Sequence, residues 1–305
     1  MDALQKFKDS FEPILKDYVD QKIAVFLKDT NDPFILELVN HSRKLIENGG
    51  KRIRPYIAYL MYKSSGGTDD QKALQLITSL EIFHSFALVH DDVMDKGATR
   101  RGIQTIHEYV KETLEKENVS GDLSHIGNSQ AILVGDLLLA FALEVFDESG
   151  FAKDKLVRTK EYFYRMINDV ILGQIIDIDL SVRTDFPKEM IDKKNKLKSA
   201  SYTFIRPLQI GASLVKIDGA IEKFCEELGL NLGLAYQMQD DLMDMSEDTS
   251  ANQKNFSAGK TVEEIKKDIE IHLNTARKII EKSEIKEKYK QEFYEMINNL
   301  RNRKS

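Results

Sequence analysis

Hydrophobic residues recur every three or four positions through most of this chain, which is the period of an amphipathic α-helix. No run alternates between apolar and polar residues as a half-buried strand would, so the pattern predicts an all-α protein. The predicted helices cover residues 4–27, 33–48, 55 onward, 70–95, 129–148, 155–182, 188–215 and 219–245, and two further amphipathic helices close the chain.

Capping and breaking residues mark several helix boundaries. Asp32 followed by Pro33 is a typical N-cap and first-turn pair, and it opens the second helix. The polar stretch 111–128 is expected to be a frayed helix end and a loop, and the polar residues 246–259 are expected to form another loop. No linker rich in Ser, Pro or Gly divides the chain, so a single domain covering residues 1–305 is predicted.

The composition narrows the class of protein. With 305 residues, 42% of them hydrophobic, and only 16 Gly and 5 Pro, the chain can build one large helical core, or two domains by length alone. A net charge of −6 offers no field that would attract nucleic acid. The single cysteine, Cys225, excludes an intrachain disulfide and favours a reducing compartment. No signal peptide is recognised and no uninterrupted apolar stretch approaches the length of a membrane span, so a cytoplasmic protein is expected.

One acidic signature occurs in two places. DDVMD at residues 91–95 and DDLMD at residues 240–244 each follow a long apolar-periodic run, so each is expected on a helix. The first and fifth aspartates of each copy are then one turn apart on the same helix face. One such copy alone is best explained as a solvated acidic face, but two copies with the same spacing in apolar sequence favour a shared function.

Magnesium is the cation that best fits these aspartates. Like charges this close destabilise a helix unless a cation lies between them. Mg²⁺ prefers carboxylate oxygens, keeps several waters and commonly completes its coordination with phosphate oxygens. The motifs therefore predict Mg²⁺ ions held by Asp91, Asp95, Asp240 and Asp244 around a diphosphate.

Basic residues lie where they suit an anion. GGKRIRP at residues 49–55 places Lys51 and Arg54 after a flexible glycine pair and at a helix start, where the helix N-terminus also favours negative charge. Taken alone, this run is equally well explained by a surface patch or a nuclear-localisation-like signal. Arg100 and Arg101 follow the first acidic motif and supply forked donors suited to bidentate phosphate binding.

Three residues on the predicted helices are further candidates. His84 lies seven positions before Asp91 and faces the same way on the helix. A histidine on a buried helix is more often a hydrogen-bonded core residue, but this alignment favours the site. Gln237 lies one turn before the second acidic motif, whereas Lys198 alone would be an unremarkable surface lysine.

Taken in order, these residues resemble the trans (E-type) isoprenyl diphosphate synthases, also called polyprenyl synthetases. The family pattern is GGKRxRP, a His upstream of HDDxxD, then RRG, KT(A/G) and FQxxDDxxD. This chain has GGKRIRP, His84, HDDVMD, RRG, KSA at residues 198–200 and YQMQDDLMD at residues 236–244, with similar spacing from about residue 40 to residue 254. The resemblance implies a single all-α helical bundle of the isoprenoid synthase type with a deep central cavity, usually a homodimer.

The resemblance also implies an activity and residue roles. The activity is a Mg²⁺-dependent prenyl transfer that joins isopentenyl diphosphate to an allylic diphosphate. The implied isopentenyl diphosphate site comprises Lys51, Arg54, His84 and Arg101. The implied allylic site comprises Arg100, Lys198, Ser199, Gln237 and Lys254, of which Arg100, Lys198 and Gln237 are catalytic. Asp177 belongs to a stretch that resembles a family GQxxD element and is a further candidate for the metal shell.

Phe86 bears on the length of the product. It is the fifth residue before the first acidic motif, where the family resemblance implies an aromatic floor to the chain-binding cavity of short-chain enzymes. Phe83 adds a second ring and Ala87 leaves space beside it. These residues favour geranylgeranyl diphosphate, with farnesyl diphosphate or a longer polyprenyl product as alternatives. On an ideal helical wheel Phe86 lies nearly opposite Asp95, so packing in the core is the other explanation.

The chain departs from the family pattern in a few places. Ser199 replaces the usual Thr and Tyr236 replaces the usual Phe. The family lysine that follows Lys254 has no counterpart, because Glu263 stands about where it would be, and the chain continues almost directly to its last helices.

Two alternative functions belong to different classes. A non-catalytic subunit of a heteromeric prenyl synthase would tend to lose acidic motifs, and both are complete here. A class I terpene cyclase would share the metal-bound diphosphate, but it would not need the GGKRIRP and RRG elements for a second one.

Overall fold

The computed structural model describes residues 2–183, 187–244 and 260–301, and these are almost entirely helical. The elements in chain order are α1 (Ala3–Phe26), α2 (Pro33–Glu47), α3 (Ile53–Ser64), α4 (Asp70–Asp95), β1 (Thr99–Arg100), β2 (Ile103–Gln104), α5 (Ile106–Lys116), α6 (Leu123–Glu148), α7 (Lys153–Val182), α8 (Lys188–Asn195), a π-helix (Lys196–Ile205), α9 (Arg206–Ser213), α10 (Gly219–Asp244), α11 (Val262–Lys282) and α12 (Glu287–Arg301). The predicted all-α class is confirmed. The loop predicted at residues 246–259 lies outside the described residues.

The contacts within the chain define two units. In the first, formed by residues 1–55 and 70–151, α4 packs mainly against α6 and also contacts α1 and α2, while α5 packs against α6. In the second, formed by residues 56–69 and 152–305, α10 packs against the π-helix and α11, and α7 packs against the π-helix and α9. The single domain expected for the chain stays a prediction.

α4 is apolar on nearly every side, as expected of a helix inside a core. Leu80, Ile82 and Phe83 are fully buried, and the helix covers the residues that the sequence pattern predicts. α4 and α6 are both long and apolar enough to cross a membrane by length and composition, with 72% and 44% of their apolar windows buried. The sequence predicts no membrane span when only uninterrupted apolar runs are considered. By length and average composition, α4 and α6 both qualify as candidate spans. Core helices of soluble proteins qualify by the same criteria.

The stretch 111–128 differs from its prediction as a frayed end and loop. α5 continues to Lys116, and α6 begins at Leu123. The side chain of Asp122 accepts a hydrogen bond from the amide of His125 (3.0 Å) and so caps α6 within the polar stretch. A polar composition therefore conceals a helix start.

Two local features have no counterpart in the predicted pattern. A short antiparallel hairpin pairs Thr99 with Gln104 and Arg100 with Ile103. Strands of two residues are too short to show alternation. Residues 196–205, expected within one continuous α-helix, are π-helical, a form that is frequent at functional sites.

Glycines allow helices of the second unit to meet backbone to backbone. A Cβ atom added to Gly233 of α10 would lie 2.2 Å from Cα of Ala200 in the π-helix. A Cβ atom on Gly211 of α9 would lie 2.0 Å from the carbonyl oxygen of Ala58 in α3. Neither neighbour is a flexible side-chain end, so a larger residue must push the helices apart.

Gly233→Ala is expected to lower the free energy of unfolding by about 1–3 kcal/mol, the usual cost of overpacking a dense interior. Gly219→Ala is the matched control, because Gly219 lies on the same helix and a Cβ there would meet nothing within 4 Å. The control should match the wild type or gain up to about 1 kcal/mol. Urea unfolding measures both, and equal stability of the two variants would contradict the packing argument.

Candidate active site

A buried arginine fixes the glycine-rich loop between α2 and α3. Gly49 has a φ of 73° and Gly50 a φ of 152°, and Arg52 also has a left-handed φ of 52°. The side chain of Arg52 is fully buried and donates to both carboxylate oxygens of Glu12 (2.7 and 3.0 Å) and to the carboxylate of Glu81. The middle basic residue of the GGKRIRP segment is therefore an internal anchor.

Lys51 and Arg54 lie on either side of this anchor. Lys51 is exposed, and Arg54 is partly exposed in the first turn of α3. The sequence predicts both as anion ligands, and their accessibility agrees with that role.

The β1–β2 hairpin gives its two arginines different partners. Arg100 donates from Nε to Oδ1 of Asp92 (2.7 Å), and its Nη2 lies 2.6 Å from the same oxygen and 3.7 Å from Asp91. Arg101 donates to the carbonyl oxygen of Gly49. The hairpin thus connects the end of α4 with the glycine-rich loop.

His84 lies among these basic groups. Burial lowers the pKa of His84 well below its usual range, and the positive charges of Arg54, Arg101, Arg100 and Arg52 lower the pKa further. The imidazole is therefore neutral near pH 7 and offers one N–H donor.

A small cleft lies beside this cluster in the first unit. It is lined by Leu45, Asn48, Ser85, Leu88, Asp92, Arg100, Arg101 and Ile103. The two guanidinium groups in this lining are forked hydrogen-bond donors suited to an anion.

The first acidic motif divides into buried and accessible carboxylates. Asp92 is 3% exposed and is the residue that Arg100 binds. Asp91 is partly exposed and Asp95 is exposed. The predicted metal ligands are therefore the accessible pair, one helical turn apart.

The second acidic motif divides in a similar way. Asp241 is 1% exposed and accepts a hydrogen bond from Nε2 of Gln237 (2.9 Å), whose Oε1 in turn accepts from the hydroxyl of Ser199. Asp240 is partly exposed. Asp244 ends α10, but its side chain lies outside the described part of the structure, as does all of Lys254.

Lys198 lies on the π-helix and faces α7. Its Nζ is 2.6 Å from Oδ2 of Asp177, and Nζ of Lys194 is 3.2 Å from Oδ1 of the same carboxylate. Burial by itself would raise the pKa of Asp177, but the two lysines lower it below its usual range. Gly173 permits this approach, because a Cβ there would lie 2.7 Å from Cγ of Lys198.

Phe86 belongs to an aromatic cluster on α4. Its ring centroid lies 5.2 Å from that of Phe83 and 4.7 Å from that of His90. The His90 ring packs against Gly135 of α6, and its Nε2 lies 3.0 Å from the carbonyl oxygen of Ile132. Phe86 is 8% exposed, which agrees with core packing, and its role as a cavity floor stays a prediction.

Sequence reasoning missed the residues that hold the site from inside. Glu12, Glu81 and Lys194 carry no motif signal of their own. Asp92 and Asp241 belong to the motifs, but only their burial separates them from the accessible aspartates.

The accessible carboxylates fit a hard cation that shares its coordination with phosphate. Within the described ranges, no three carboxylate, histidine or cysteine side chains come together as a complete metal site. Mg²⁺ takes one or two protein carboxylates and fills the remaining positions with water and substrate phosphate, so Asp91 with Asp95, and Asp240, suit it. Accessible carboxylates that can hold Mg²⁺, and clustered arginines, are both groups that suit diphosphate esters.

Comparison with known proteins gives the family. The chain matches the polyprenyl synthetase family model over residues 36–300. It is 31% identical to the geranylgeranyl pyrophosphate synthase of Geoglobus acetivorans over 240 residues, which cover 76% of this chain and 67% of that protein. It is 30% identical to the geranylgeranyl diphosphate synthase of Sulfolobus acidocaldarius over 215 residues, which cover 70% and 59%. This protein belongs to the polyprenyl synthetase family.

Solved structures agree with this assignment. The geranylgeranyl pyrophosphate synthase of Corynebacterium glutamicum, complexed with isoprenyl diphosphate and magnesium, has a TM-score of 0.84 and 25% identity, and the match covers 97% of this chain and 99% of that one. The chain spans roughly three fifths to two thirds of the lengths of the two curated relatives above, 59% and 67%.

His84 should make stability depend on pH. An unfolded histidine binds a proton as the pH falls through about 6.5, whereas the folded His84, with its lowered pKa, does not. The free energy of unfolding should therefore fall below pH 6.5 by up to about 1.4 kcal/mol per pH unit from this group. His84→Gln should show a shallower decline in urea unfolding between about pH 7 and pH 5. Parallel curves for the two proteins would contradict the pKa assignment.

Proposed function

We propose that this protein is a Mg²⁺-dependent trans-prenyltransferase that joins isopentenyl diphosphate head to tail to an allylic diphosphate. The observation that carries the proposal is the presence of two different kinds of protein group that can bind a diphosphate. Accessible carboxylates in both DDxxD motifs suit a metal-bound diphosphate, while the basic cluster around His84 suits one bound directly. An enzyme with a single diphosphate substrate would need only one of them.

The acidic motifs and two cationic side chains, Lys198 and Arg100, bind the allylic substrate. Asp91, Asp95, Asp240 and Asp244 would hold Mg²⁺, which when bound neutralises the allylic diphosphate and improves it as a leaving group. Lys198 and Arg100 stabilise the negative charge that develops on the departing diphosphate. Both side chains are already held by carboxylates, Asp177 and Asp92, so they need little rearrangement.

The basic cluster serves isopentenyl diphosphate. Lys51, Arg54 and Arg101 bind its diphosphate group, and neutral His84 donates one hydrogen bond to it. The carbon–oxygen bond to diphosphate breaks to leave an allylic cation, and the double bond of isopentenyl diphosphate then attacks C1 of this cation to form a carbon–carbon bond. Loss of a proton to the released diphosphate gives a product longer by one C5 unit.

We further propose geranylgeranyl diphosphate as the main product, with farnesyl diphosphate or a longer product as the alternative. The relatives from Geoglobus acetivorans and Sulfolobus acidocaldarius carry that name, whereas a relative from Aeropyrum pernix, 30% identical, is a geranylfarnesyl diphosphate synthase. The aromatic pair Phe83 and Phe86 on α4 supports the shorter product.

A homodimer is part of the proposal. α6 is strongly apolar, yet less than half of its most apolar stretch is buried within the chain. Ile132 and Leu133 on this helix are 45% and 61% exposed. A second copy of the chain would cover this face. Sedimentation equilibrium tests it, because a monomeric mass would contradict the dimer.

A cytoplasmic location is also proposed, and the single, buried Cys225 agrees with it.

Asp91→Ala and Asp240→Ala should each lower turnover by about two orders of magnitude or more, because each removes a carboxylate that binds the essential cation. Glu226→Ala is the matched control, since Glu226 is an exposed acid on α10 outside the motif. Addition of EDTA should abolish turnover in the wild type. Near-normal activity of either aspartate variant, with an unchanged circular dichroism spectrum, would contradict the metal assignment.

The same assay separates the alternative functions. Dimethylallyl or farnesyl diphosphate is supplied with and without isopentenyl diphosphate, and the products are identified by mass. Elongation only when both substrates are present supports the proposal. A hydrocarbon formed from the allylic substrate alone would indicate a cyclase, and no turnover of the purified protein would refute the proposed activity.

Phe86→Ala tests the chain-length proposal. If Phe86 closes the cavity, the variant should produce a ladder of products longer than those of the wild type. If Phe86 serves only in core packing, product length should stay unchanged while stability falls by about 3–5 kcal/mol. Mass analysis of the products and urea unfolding of the same preparation distinguish these outcomes.

A further inference from the structure

The first helix makes direct contacts with the glycine-rich loop that carries Lys51 and precedes Arg54 of α3. Nζ of Lys8 donates to the carbonyl oxygen of Gly50 (3.0 Å). One turn further along α1, Glu12 accepts two hydrogen bonds from Arg52 (2.7 and 3.0 Å). The family match begins only at residue 36, so these contacts come from a helix that precedes it.

Two other residues of the first unit also accept hydrogen bonds from Arg52. Glu81 of α4 is 3% exposed and pairs with Nη1, while the carbonyl oxygen of Ile46 accepts from Nη2 at 2.9 Å. Every nitrogen of the guanidinium group is therefore occupied. Since Arg52 stands between Lys51 and Arg54 in sequence, its fixed position restricts where those two residues can lie.

Charge makes this restriction necessary. Lys51, Arg54 and Arg101 repel one another, and the glycine pair gives the loop freedom to separate them. Glu12 and Glu81 balance the charges of Arg52 and Lys8, so these four side chains add no net positive charge beside them. Burial and the neighbouring arginines lower the pKa of Arg101. The negative charge of Glu81 opposes this shift.

We infer that Lys8, Glu12, Arg52 and Glu81 form a positioning clamp that holds Lys51 and Arg54 ready for the diphosphate of isopentenyl diphosphate. The inference rests on the proposed function. None of the four clamp residues needs to touch the substrate. Their effect is to lower the ordering cost of binding, so it is confined to one of the two substrates.

Glu12→Gln tests the clamp, because it keeps the shape of a side chain that is 39% exposed and removes its charge. Calorimetric titration with isopentenyl diphosphate alone should show binding weakened by about tenfold. The KM for the allylic substrate and kcat should stay within about twofold of the wild type. Asp9→Asn is the matched control, since Asp9 is exposed on the same helix and its carboxylate accepts a hydrogen bond from Gln5 (2.9 Å). It should bind like the wild type.

A second variant and a double-mutant comparison separate positioning from general stability. Lys8→Met removes the other α1 contact without leaving a buried charge unpaired, and it should also weaken isopentenyl diphosphate binding. In a Lys51→Ala background, Glu12→Gln should cost less than it does in the wild type, because the side chain that it positions is gone.

The outcomes separate the clamp from the proposed function. A wild-type protein that does not bind isopentenyl diphosphate overturns both. If the wild type binds but Glu12→Gln and Lys8→Met bind equally well, only the clamp is wrong. Equal losses for both substrates, in proportion to a lowered melting temperature, would assign these residues to stability and overturn the clamp as well.

Discussion

Both acidic motifs lie at the C-terminal ends of their helices, α4 and α10, where the helix dipole already carries partial negative charge. Mutual repulsion of the aspartates adds to this cost. Arg100 offsets part of it at the end of α4 by pairing with the buried Asp92, whereas Asp241 receives the neutral amide of Gln237. Under the proposed function, a cation bound between these carboxylates would reduce their repulsion further, so cation binding would also stabilise these helix ends.

The sequence predicts the fold well where periodicity is long and unbroken. α4 spans the predicted residues 70–95, because a long apolar-periodic run predicts the extent of a helix well. Prediction failed where local hydrogen bonds decide, as with the Asp122 cap that starts α6 inside a polar stretch. The hairpin that carries Arg100 and Arg101 also left no periodic signal, although its residues were identified by type.

The candidate site was predictable as a set of residue types but not as an arrangement. Motif spacing identified Asp91, Lys198 and Gln237, and the structure adds the partners that orient them, Asp177 for Lys198 and Ser199 for Gln237. Arg52 shows the limit most clearly. It lies between two predicted anion ligands and has their chemistry, and only its complete burial shows that it binds the protein's own carboxylates.

The position of α1 has a practical consequence for a minimal version of this enzyme. A shortened chain that begins where the family match begins, at residue 36, would keep every side chain to which a substrate or metal role has been given. Arg52 would nevertheless lose both bonds to Glu12 and retain Glu81 as its carboxylate partner. A buried cation with fewer partners is costly. On the proposed clamp, a boundary set by sequence similarity alone would exclude two of its four residues, Lys8 and Glu12.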